Sequence, residues 1–150
     1  MRVLGALATP LRNATTAVEL KNRMIRTAQT LAGRARHDTP HARVIAAVGL
    51  LDRSDGMQSI ASLANDVGTS VRTLRRDFSM TVGLSARTFA SILRFQHTMR
   101  LALTRPAMQL AELAICGGYS DQAHMTREFR DLGGFTPGAR PDVPVINLPG

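Results

Sequence analysis

The chain is 150 residues long, 44% hydrophobic and 20% charged, which suits one globular domain, or one domain with arms, and argues against disorder. Nineteen basic residues stand against 11 acidic ones, a formal charge of +8 that favours a polyanionic partner, nucleic acid or an anionic membrane surface. Only Lys21 among the basic residues is not Arg, and the planar guanidinium fork suits phosphate or a guanine edge.

From the N-terminus, the apolar run 3–8 is too short for a signal peptide, and no later stretch approaches the ~20 apolar residues of a membrane span. A cytoplasmic protein with no membrane partner is therefore expected. Thr16-Ala17-Val18-Glu19 has capping-box spacing, and Leu20, Met24, Ala28 and Leu31 follow at helical intervals. His37 to Pro40 reads as a linker closed by a proline, dividing an N-terminal helical arm, 1–40, from the domain at 41–140. Val44, Ile45, Val48 and Leu51 predict a helix over 43–51 that ends at Ser54-Asp55-Gly56. A second helix is expected over 58–67, with Ile60, Leu63, Ala64 and Val67 on one side. Ser70 then caps a third that turns Val71, Leu74 and Phe78 inward.

Residues 86–104 predict a long helix of 19 residues, ~28 Å at about 1.5 Å per residue, with Phe89, Ile92, Leu93, Met99 and Leu103 toward the core and Pro106 past its end. Two shorter helices follow, over 109–116 and 121–132. At the end of the first of them Cys116, the single cysteine, excludes an internal disulfide and a cysteine-rich zinc site. It reads as a small buried residue, with a redox sensor as the alternative. The proline-containing tail, 141–150, is expected to be loose.

No strand pattern of comparable quality appears, so the fold class is all-α. A repeat runs through it. Leu63-Ala64, Gly68, Ser70, Leu74, Arg76, Phe78, Gly83 and Ser85 correspond in order to Leu113-Ala114, Gly118, Asp121, Met125, Arg127, Phe129, Gly134 and Thr136, offset by 50 before the turn and by 51 after it. Each copy is a helix, a glycine turn and a capped helix: two helix-turn-helix subdomains, homeodomain-like, joined by the long linker helix.

The inward residues of each second helix fix which positions face out. In the first copy these are Arg72, Thr73, Arg75 and Arg76, near the helix N-terminus where recognition helices meet base edges. Arg72, Arg75 and Arg76 are assigned to base readout, and Thr73 to phosphate; a solvated basic face or an ion pair with Asp77 is the alternative. Ser70 can offer its hydroxyl to a phosphate, although capping alone accounts for it. In the second copy Gln122 suits adenine, Ala123 a thymine methyl and Arg127 guanine or phosphate, with Thr126 beside them. Arg127 can instead be a structural ion-pair partner. His124, Arg94 and Arg100 can touch phosphate or be ordinary surface residues. The linker helix sets the separation of the copies, and a duplex turn of ~34 Å brings two successive major grooves within reach.

These residues carry a resemblance. Residues 60–140 resemble the tandem helix-turn-helix domain of the AraC/XylS regulators, through Leu-Ala-x3-Gly-x-Ser, Leu-x-Arg-x-Phe, the central Leu93-Arg94-Phe95, the run from Gly118 to Phe129, and Gly134-Phe135-Thr136-Pro137. The resemblance implies a seven-helix, two-lobed domain that binds double-stranded promoter DNA, commonly as an activator that contacts RNA polymerase, in the nucleoid. It places recognition positions on Arg72, Arg75, Arg76, Gln122, Ala123 and Arg127. Members usually carry a sensor and dimerisation domain ahead of the reader, and residues 1–40 look similar to the end of one. Two accounts fit: a truncated start, or a short regulator working without a small-molecule effector. Acids and histidines lack metal-ligand spacing, and no phosphate loop or serine elbow is present, so neither an enzyme nor a cofactor is expected. A protein-interaction module with acidic partners is the other class to be separated.

Overall fold

A computed structural model describes residues 39–139, which form six α-helices and no strand. The expected helix near residues 16–33, most of the N-terminal arm and the 141–150 tail lie outside the described residues. The helices are α1 Pro40–Arg53, α2 Ile60–Asp66, α3 Val71–Val82, α4 Ala86–Thr104, α5 Leu110–Cys116 and α6 Gln122–Gly133. The resemblance implies seven; six fall within the described residues.

Local chemistry sets most boundaries. Ser59, Ser70, Ser85 and Asp121 each accept a hydrogen bond from the backbone N–H three residues on, satisfying donors that the first helical turn leaves unpaired. Pro40 does not close a linker as expected; it opens α1. Thr39 caps Ala42, and a proline costs nothing in the first turn because its missing N–H has no helical partner there.

Two cores form, one per lobe. In the first, Val44, Ala47, Val48 and Leu51 of α1 pack with Leu63, Ala64, Leu74 and Phe78, and with Phe89, Ala90 and Leu93 from the N-terminal half of α4. In the second, Phe95 and Ala102 from the rest of α4 pack with Leu113, Ala114, Tyr119, Met125 and Phe129. The first is mainly aliphatic, with one ring pair, Phe78 and Phe89, at 5.7 Å. The second holds a cluster in which Phe95 meets Phe129 at 4.7 Å and Phe135 at 6.2 Å. Thus α4 belongs to both lobes: its outer ends face different cores while its backbone is continuous.

Two sequence expectations about the core are corrected. Leu103 is exposed rather than inward; it lies one residue past the buried Ala102, beyond the end of the second core. Cys116 is exposed as well. In α5 the buried positions are Leu113, Ala114 and then Gly117, the spacing also used by Leu63, Ala64 and Val67. Cys116 occupies the place that Asp66 occupies in the first lobe, and both face outward.

Candidate nucleic-acid interface

The two turns show how the local sequence presents the second helix of each lobe. Gly68 and Gly118 have φ of +70° and +75°, left-handed values that a Cβ disfavours. Around them the hydrogen bonds repeat: Gly68 N–H donates to Asn65 O and Thr69 N–H to Ala64 O, while Gly118 N–H donates to Ile115 O and Tyr119 N–H to Ala114 O. The second turn then contains one more residue, Ser120, before the Asp121 cap. This is the physical origin of the change of offset from 50 to 51.

In α3, Leu74, Asp77 and Phe78 are buried; in α6, Met125 and Phe129 are. Anchoring on one side leaves the other side free. Arg72, Arg75 and Arg76 are exposed on α3, and Gln122, Ala123 and Arg127 on α6, as the sequence placed them. Thr73 and Thr126 are half-buried flanks. The side chains of Arg72 and Arg75 make no hydrogen bond or ion pair among the described residues, and that of Arg127 makes only an electrostatic contribution to Asp121. Arg76 is partly committed: its Nη2 lies 3.0 Å from Asp77 Oδ1, yet its side chain remains 65% exposed.

The expected phosphate contacts divide. Ser70 is exposed, with its hydroxyl accepting from Thr73 N–H at 3.1 Å and donating to Thr73 Oγ1 at 2.9 Å. His124 is half-buried, its Nδ1 3.1 Å from the Ser120 hydroxyl and its ring edge-on to Tyr119. Arg94 is corrected: it does not face outward toward a phosphate but is only 17% exposed, donating through Nη2 to Glu128 at 3.0 Å and to Ser91 at 3.1 Å. Its guanidinium also lies 5.5 Å from the centre of the Tyr119 ring, a cation–π distance. Arg100 is more exposed but pairs with Asp55 at 2.7 Å.

Sequence reasoning weighed Asp77 only as a partner of the outer arginines, and missed that Asp77 and Glu128 hold α3 and α6 to the first helix of each lobe. Asp77, with a side chain 2% exposed, receives Arg43 Nη2 at 2.7 Å from α1, so the start of the domain is tied directly to α3. The Arg43 hydrogen bond holds the Asp77 carboxyl below its ordinary 3.8, against the opposing effect of burial, with Arg76 adding to the lowering. Glu128 takes the corresponding place on α6, 51 residues on, and Arg94 stands 51 residues after Arg43. The repeat therefore reaches back to the first helix of each lobe, where its offset is 51 rather than the 50 of the helix that follows. At the α6 N-terminus the backbone N–H of His124 lowers the pKa of Asp121, as a capping carboxylate requires.

The arrangement offers positive, hydrogen-bonding helix faces. Among the described residues no cluster of histidine, cysteine and acids is placed to hold a metal, and no helix is long and apolar enough to cross a membrane. Neither the curated proteins nor the solved structures compared with this chain gave a significant match. A protein-family comparison did: residues 63–140 match a family described as a helix-turn-helix domain, more than half of the chain and spanning both glycine turns. That family binds DNA and is not a family of enzymes. The chain thus belongs to the AraC-type helix-turn-helix family of DNA-binding transcription regulators.

Proposed function

We propose that this protein is a sequence-specific regulator that sets α3 and α6 into successive major grooves on one face of promoter DNA. The observation that carries the reading is the pair of exposed outer faces, Arg72, Arg75 and Arg76 on α3 and Gln122, Ala123 and Arg127 on α6. Both helices are held from behind by fully buried anchors, so their outer residues keep a fixed presentation. Base contact on the α3 side falls to the three arginines, through guanine N7 and O6. On the α6 side Gln122 addresses adenine, Ala123 a thymine methyl and Arg127 guanine, with Thr126 at the margin. Ser70, Thr73 and His124 contribute at the phosphates, where the exposed N-terminal ends of the helices add favourable dipoles. Activation through contact with RNA polymerase is part of the same reading, supported by the family resemblance.

Selection of bound sequences from a random duplex pool tests it, using the whole chain and the Arg72→Ala/Arg76→Ala variant in parallel. An enriched site with two blocks about one helical turn apart, lost in the variant, is expected. A folded protein that enriches nothing and captures an acidic protein partner equally well with and without the two arginines would replace this reading with that of an interaction module.

A further inference from the structure

The loop between α1 and α2 belongs to the first lobe by chain order, but Asp55 and Gly56 also make polar contacts with the second-lobe half of α4. Asp55 receives Arg100 Nη2 at 2.7 Å and lies 3.0 Å from His97 Nδ1. Gly56 is buried, and a Cβ there would run into the carbonyl oxygen of Ala90, so the loop backbone lies directly on α4. Its own carbonyl oxygen is 3.4 Å from Arg94 Nη1. The next side chain, Met57, reaches the turn of the second lobe: a Cβ on Gly118 would stand 2.8 Å from Met57 Cγ. Gly68, which holds the same place and nearly the same φ in the first lobe, has open space around it. The crowding at Gly118 is therefore a contact between lobes and not a property of the turn.

We infer that Asp55, Gly56 and Met57 form a strap that fixes the angle between the two lobes and so sets which spacing of half-sites the protein accepts. These are positioning residues: none lies on the outer face of α3 or α6. The inference rests on the two-groove reading above. Three attachments, to Arg100 and His97, to Arg94 and to Gly118, restrain rotation about α4 that a single continuous helix would leave to its own bending. Arg94 links them inward, because the guanidinium that meets the strap also holds Glu128 on the reading helix α6. Adding one base pair between half-sites moves them apart by about 3.4 Å and turns them by about 35°. A strapped pair of lobes resists that displacement, whereas an unstrapped pair accommodates it.

The test uses the whole chain and Asp55→Asn/Met57→Ala, which removes the charge pairing and the contact over Gly118 while keeping a residue type that tolerates the left-handed backbone at position 55, φ +47°. Affinity is measured for duplexes carrying both selected half-sites with the spacer changed by one base pair, and for duplexes carrying one half-site. The unaltered protein should lose about tenfold on the change of spacing, as for a mismatched base pair, and the variant about threefold or less, with single-half-site affinity alike in both. Met57→Leu, which keeps an apolar chain over Gly118, should behave as the unaltered protein does. Equal spacing penalties in the parent and the double variant would overturn the strap. A second readout stands apart from DNA: spin labels on Cys116 and on a cysteine introduced by Ala61→Cys, both exposed positions in opposite lobes, report the interlobe distance. A narrow distribution that broadens in Asp55→Asn/Met57→Ala supports the strap, and one that stays the same refutes it. If no bipartite site is selected but the distribution still broadens, the two-groove reading fails while the strap stands.

Discussion

The two lobes share a plan and differ in what they expose. Each has a buried pair of aliphatic residues at the helix crossing, a left-handed glycine in the turn, and a reading helix anchored by a large residue and a phenylalanine four positions apart. Each also ties an acid on that helix to an arginine on the lobe's first helix, Asp77 to Arg43 and Glu128 to Arg94. The outer faces diverge near the helix starts: Arg72, Arg75 and Arg76 on α3, against Gln122, Ala123 and Arg127 on α6. The scaffold and the exposed face are therefore separately specified. The proposed labour divides likewise, with charge concentrated in the first lobe and directional hydrogen bonding in the second.

The strongest way to break the comparison is to empty one core at a time. Phe78→Ala and Phe129→Ala each remove a fully buried ring, and each should cost about 3–5 kcal/mol. Hydrogen exchange is the measurement that decides whether the lobes are separable. Protection should fall first in the mutated lobe; equal loss in both would make the domain a single cooperative unit. The acids give the next largest contrast. Asp77→Ala removes a buried carboxylate that receives both Arg43 and Arg76 and should cost about 3 kcal/mol. Glu128→Ala should cost about 1–2 kcal/mol, since Arg94 keeps Ser91 and the Tyr119 ring. Their pH dependence sharpens this. Pairing lowers the pKa of Asp77 in the folded chain below 3.8, so its stabilisation is complete above that value and is lost as the pH falls through the folded-state value. Thermal unfolding followed from pH 7 to pH 2.5 should show an acid decline that Asp77→Ala flattens.

Smaller effects separate the reading faces. Gln122→Ala should relax discrimination at one base pair by about 1–3 kcal/mol with little change in salt dependence. Arg75→Ala should lower the slope of log K against log[salt] by about 0.9 if it neutralises one phosphate, and leave the slope nearly unchanged if it reads a base. The smallest is conformational. Gly68→Ala, with open space but a left-handed backbone, should cost about 1 kcal/mol. Gly118→Ala should cost more, because Met57 must also move. Equal melting temperatures for the two glycine variants would remove the distinction between the turns.

Much of this organisation was legible in the sequence because it is written locally. The bounds of α4 follow from the Ser85 cap and from helical spacing that stops before Pro106. The duplicated glycine turn and its anchors follow from the repeat. What escaped depends on tertiary geometry. A long arginine chain reaches several angstroms in many directions, so nothing local told that Arg94 turns inward to Glu128 while Arg75 turns out. The regularity that does tell is the repeat carried back one helix further, from Arg43 and Asp77 to Arg94 and Glu128. Cys116 is a similar case: its apolar neighbours suggested burial, whereas its counterpart Asp66 pointed to the surface.

Only three of the 12 residues of α3 are buried. Six others are exposed and can change with little effect on what holds the helix, provided Ser70 still starts it and Gly83 still ends it, while Val71 and Val82 pack partly against the core. On the proposed reading, point substitutions on this face would retarget the domain one operator base at a time while the protein folds as before.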